Sequence, residues 1–118
     1  MTIKECYLQA GGDYDDVLKR LGSEQAVRRF ALQFLTDPTF PALVAAYDKK
    51  DAEKAFRSVH TLKGICSTLG FTALFQAAYN LTEKLRGRDF AGTEEDYALV
   101  SVRYKELTAA LKLADQSV

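Results

Sequence analysis

Residues 51–70 read DAEKAFRSVHTLKGICSTLG, and their spacing settles the fold class. Ala52, Ala55, Val59, Leu62, Cys66 and Leu69 are the apolar positions. At about 100° per residue they gather on one stripe of an α-helix. Asp51 stands where a carboxylate caps a helix start, and Gly70 where a left-handed residue ends one. The only histidine of the chain, His60, lies inside this stretch. It falls about 130° from the centre of the stripe, so it points to solvent or to the stripe's edge.

Outward from this helix the same periodicity continues, and no stretch alternates at period two long enough to argue for a sheet. A short element is expected over about Ile3–Gln9 and a helix around Tyr14–Leu21. Ser23 caps a helix to about Leu35, with Ala26, Phe30 and Phe34 among its apolar positions. The only prolines, Pro38 and Pro41, close that helix and open the next, expected over about Ala42–Lys49. A helix over about Thr72–Arg86 is stopped by Gly87. Thr93 opens the last, with Glu94, Glu95 and Asp96 favoured in its first turn by the helix dipole. This helix carries Leu99, Val102, Leu107 and Leu111 as its apolar positions. Short connections favour antiparallel neighbours. The expectation is an all-α fold, an up-and-down antiparallel four-helix bundle with short additional N-terminal helical segments.

The chain has 118 residues, enough for one domain with a sizeable core. Sixteen Lys and Arg balance sixteen Asp and Glu, which argues against a broad basic face for nucleic acid. No apolar run approaches the roughly 20 residues of a membrane span. Met1–Glu5 lacks the apolar core of a signal peptide. A cytoplasmic chain is expected, and Cys6 and Cys66 read as reduced, structural thiols. There is no P-loop, no kinase glycine loop and no set of metal ligands at coordinating spacing.

On the helical wheel Lys63 falls about 60° to one side of His60, Gly64 about 40° to the other and Ser67 about 20° away. An ammonium beside an imidazole favours its neutral, nucleophilic form, and would attract a phosphoryl group. Glycine inside a helix costs about 1 kcal/mol relative to alanine. Close approach of another molecule is a natural reason to accept that cost. Each part suits phosphoryl transfer.

His60–Thr61–Leu62–Lys63–Gly64, followed by Ser67–Thr68–Leu69–Gly70, resembles the signature of histidine-containing phosphotransfer (HPt) domains of multistep two-component signalling. Val17–Gly22, Phe30 and Phe34–Leu35 resemble the family's first helices, and Leu74, Leu81 and Leu85 fit the helix after the motif. Residues 14–114 carry the resemblance, within a single domain over 1–118. Residues 1–13 are expected to pack on the bundle, and 115–118 form a tail. The resemblance implies that His60 accepts a phosphoryl group from a receiver-domain aspartate and passes it to another receiver. It further implies that Lys63 steadies the phosphate and Gly64 leaves room for the partner. No cofactor of its own is implied, since the receiver supplies Mg²⁺. The partners implied are receiver domains of a hybrid histidine kinase and of a response regulator, met by a monomer.

Several residues keep two readings. At 1.5 Å per residue, His60 lies about 15 Å from the Gly70 turn and Thr82 about 18 Å along the antiparallel neighbour. In the family this position often holds Gln or Glu, which orients the imidazole. Thr82 is shorter, and either it orients the ring, Glu83 or a water does so instead, or it is an interhelical contact. Phe56, one turn before His60, is either docking surface or a cap on the core. Phe71, Phe75 and Tyr79 read as core, and Lys84–Arg88 as a solvated face more than an aid to an acidic partner. For the whole chain the competing readings are a helical adaptor that binds a receiver or another protein without carrying phosphate, and a metal-binding bundle.

Overall fold

The computed structural model describes residues 1–116; of the tail over 115–118, residues 117 and 118 lie outside the description. Among the described residues the regular structure is entirely helical: α1 (Ile3–Gln9), α2 (Tyr14–Leu21), α3 (Glu24–Gln33), α4 (Thr39–Asp48), α5 (Ala52–Leu69), α6 (Thr72–Lys84) and α7 (Glu94–Asp115). Short 3₁₀ turns follow α3 (Phe34–Thr36) and α6 (Leu85–Gly87). Four of these helix starts follow local side-chain chemistry. Thr2 and Glu5 form a capping box on α1, while Asp13, Ser23 and Asp51 each accept a backbone N–H at the starts of α2, α3 and α5.

Two boundaries and one buried face differ from expectation. α4 begins at Thr39, ahead of Pro41, because the first-turn N–H groups of a helix have no internal acceptor and a proline there removes nothing. α6 gives way to its 3₁₀ turn at Leu85, and the left-handed residue that ends it is Arg88 (φ 56°), not Gly87. In α7, Leu99 and Val102 face solvent, 38% and 48% exposed, while Val100, Leu107, Ala110, Leu111 and Ala114 are buried.

α5 packs between α4 and α6, and α6 packs in turn on α7; α1 lies against α7. The stripe residues Ala55, Val59, Leu62 and Cys66 are fully buried. Two aromatic groups lock the bundle. Tyr7, Phe71, Phe34, Tyr104 and Phe40 form a continuous chain of ring contacts, closing with Tyr104 stacked on Phe40 at 3.9 Å. Elsewhere Tyr47 stacks on Tyr97 at 3.7 Å and donates a hydrogen bond to the Thr93 hydroxyl. Among the described residues no helix is long and apolar enough to cross a membrane. α5, held along its length by neighbours on both sides, is a stiff post for any group on its outer face.

Candidate functional site

Burial of Val59 and Leu62 fixes the rotation of α5 and turns His60 outward, where it is exposed near the middle of the helix. No hydrogen bond from a described residue reaches the imidazole. Its neighbour is the Phe56 ring, with centroids 5.8 Å apart and planes tilted by 37°.

Lys63, one turn on, is half-buried, and its ammonium lies 5.6 Å from the centre of the Tyr79 ring on α6. Tyr79 is 43% exposed, so it belongs to this surface and not to the core expected for it. Phe71 is buried as expected, and Phe75 is half-buried. Gly64 faces open space: a Cβ added there meets nothing within 4 Å. Ser67 is exposed, and its carbonyl accepts a hydrogen bond from Arg20 at 3.1 Å.

Thr82 does not make the orienting bond. It is completely buried, and its hydroxyl donates to the Ala78 carbonyl of its own helix at 2.7 Å. A threonine hydroxyl within reach of the preceding turn makes this local bond readily. Glu83 is engaged elsewhere, accepting two hydrogen bonds from Arg86 at 3.0 and 2.9 Å. Those bonds hold its carboxyl below the usual carboxylate range, aided by the charges of Arg86 and Lys63.

On one flank of His60 a group forms that the sequence does not announce. The Arg88 guanidinium lies 3.7 Å from the centre of the Phe56 ring, and Arg86 approaches the same ring at 5.8 Å. Arg88 donates to the Glu53 carboxylate at 2.7 Å and to the Arg86 carbonyl at 2.6 Å. Phe56 is thereby half-buried under cations rather than left open. A left-handed backbone at a residue other than glycine costs about 1–3 kcal/mol, and Arg88 adopts one. The other flank is a groove of about 550 Å³ between α5 and the end of α3, with Phe30, Phe34, Ile65 and Leu69 as its apolar wall and Thr61 and Gly64 at its edge.

Histidine, ammonium and open glycine thus share one outer face of α5, with a cationic–aromatic cluster on one side and an apolar groove on the other. Such a face offers a reachable nitrogen nucleophile with positive charge close by, and no enclosed cavity for a small substrate. Among the described residues no three His, Cys, Asp or Glu side chains group as metal ligands. Neither the curated proteins nor the solved structures contain a match to the chain. The family model for the Hpt domain matches residues 24–117. That match runs from the first residue of α3 through α7 and takes in the whole His60 face. The chain therefore belongs to the Hpt domain family, the histidine-phosphotransfer domains of two-component phosphorelays.

Proposed function

We propose that this chain relays a phosphoryl group between receiver-domain aspartates through a phosphohistidine at His60. The observation that carries the reading is the imidazole itself: exposed, without a hydrogen-bond partner among the described residues, and next to a glycine that keeps the helix surface low. In the forward step an imidazole nitrogen attacks the phosphorus of an aspartyl phosphate in line. The N–P bond forms, the P–O bond to the aspartate breaks, and the carboxylate leaves with the bonding pair. Lys63 swings from its place near Tyr79 to offset the phosphoryl charge. The reverse step loads the second receiver, and the Mg²⁺ belongs to the receiver.

On this reading α4 to α7 form the up-and-down four-helix bundle, with α1 to α3 as the additional N-terminal helices. The groove beside Gly64 receives an apolar helix of the partner. The protein acts as a monomer in the cytoplasm, between a hybrid histidine kinase and a response regulator.

The test is incubation with a receiver phosphorylated on its aspartate. Acid-labile, base-stable label should appear on the wild-type chain and vanish in His60→Gln. Binding without transfer across a panel of receivers would instead establish the adaptor reading.

A further inference from the structure

Among the described residues nothing hydrogen-bonds the His60 imidazole, and Thr82, one candidate for that bond on α6, spends its hydroxyl on its own helix. Free rotation of the ring would blunt a nucleophile that must meet phosphorus in line. The wall beside the imidazole is Phe56, and that ring is itself held. Arg88 lies over it at 3.7 Å and is anchored by Glu53 from the first turn of α5 and by the Arg86 carbonyl from the turn after α6. An isolated exposed ion pair restrains little. This guanidinium is engaged three ways at once, through a carboxylate, a carbonyl and a ring face, which suits its planar fork. The residue also keeps a left-handed backbone that glycine would adopt without strain.

We infer that Arg88 is a positioning residue for His60: clamped by Glu53, it fixes the Phe56 ring, and Phe56 limits the orientations of the imidazole in place of a hydrogen-bond acceptor. The inference rests on the reading of His60 as the phosphoacceptor. It assigns Phe56 a place behind the nucleophile as well as beside an approaching partner, and it gives Glu53 a part in the site. The cationic cluster accordingly orders the ring before any partner arrives.

The test uses phosphoramidate, a small donor that needs no receiver. The imidazole nitrogen attacks its phosphorus, the P–N bond breaks and ammonia leaves. Arg88→Gly removes the clamp while easing the backbone, so folding is spared. Glu53→Gln loosens the clamp from α5 without altering the loop. Both variants should label His60 more slowly, Arg88→Gly by about tenfold. Proton spectra should show the ring-current shifts that Phe56 imposes on the imidazole protons reduced in both. Phe56→Leu, which removes the ring, should behave like Arg88→Gly. A wild-type rate and spectrum in Arg88→Gly would overturn the inference. Should the wild-type chain take no phosphate from phosphoramidate or from a phosphorylated receiver, the phosphoacceptor reading fails separately, and the imidazole spectra still decide whether Arg88 orders the ring.

Discussion

Inside α5, Gly64 sets stability against access. An alanine there would gain about 1 kcal/mol of helix propensity, and its methyl would meet nothing within 4 Å. Gly64→Ala should therefore melt about 4 °C higher than the wild type, by the usual scaling for a domain of this size. Labelling by phosphoramidate should stay the same, while transfer from a phosphorylated receiver should slow, because only the larger partner feels the added methyl. Calorimetry with the two labelling assays checks this; a faster or unchanged receiver reaction would show that nothing approaches the helix at Gly64. The outward direction of His60 could be read from the sequence because a helical wheel is local. The cluster behind it could not. Arg88 and Glu53 meet across 35 residues, and no local signal marks a left-handed arginine or tells a clamped phenylalanine from a core cap. Thr82 was legible in level along the bundle but not in its bonding, since its hydroxyl has a nearer acceptor in its own helix.

At the scale of elements, the boundaries that could be read are those with a side-chain cap or a glycine stop. Asp51 and Gly70 bracket α5 as their chemistry dictates. The start of α4 was obscured because proline disrupts helix interiors yet is tolerated in a first turn. The inward face of α7 was obscured because Val100 and small alanines fill the interface, leaving Leu99 and Val102 outside. Two glycine stops also differ in a way that only packing reveals. Gly22 and Gly70 both take left-handed backbones, at φ 88° and 70°. A Cβ on Gly22 would meet nothing within 4 Å, whereas one on Gly70 would lie 2.9 Å from the Asp13 carbonyl and 3.3 Å from Val17. The Gly70 carbonyl also accepts the Asp13 N–H at 2.8 Å, joining the α5–α6 turn to the start of α2. Gly22→Ala should cost about 1 kcal/mol from backbone strain alone, and Gly70→Ala about 2–3 kcal/mol. Urea denaturation of the two variants gives the comparison, and equal losses would mean that the close approach at Gly70 relaxes freely.

Across the whole molecule the aromatic chain and two buried thiols tie α1 to the centre of the bundle. Cys6 and Cys66 are free and fully buried. Tyr7 is 1% exposed and donates to the Leu69 carbonyl at 2.7 Å. Burial disfavours the charged form of all three groups. It pushes the Cys6 thiol up to about 11 from an ordinary value of 9.0, and it raises the Cys66 thiol and the Tyr7 phenol as well. A group whose folded pKa is raised contributes stability that is whole below its unfolded pKa and is lost as pH rises through the folded value. Above about pH 9 the unfolded chain therefore sheds protons that the folded chain keeps, at about 1.4 kcal/mol per pH unit for each proton. The urea midpoint should fall steadily from pH 9 to 11 by more than an exposed thiol would cause. Cys66→Ala removes one of these protons and leaves a cavity, so it should be less stable at pH 7 and yet lose stability less steeply on the alkaline side. Parallel slopes for wild type and Cys66→Ala would show that the thiol ionises in place, and that the core around it admits water before the bundle opens.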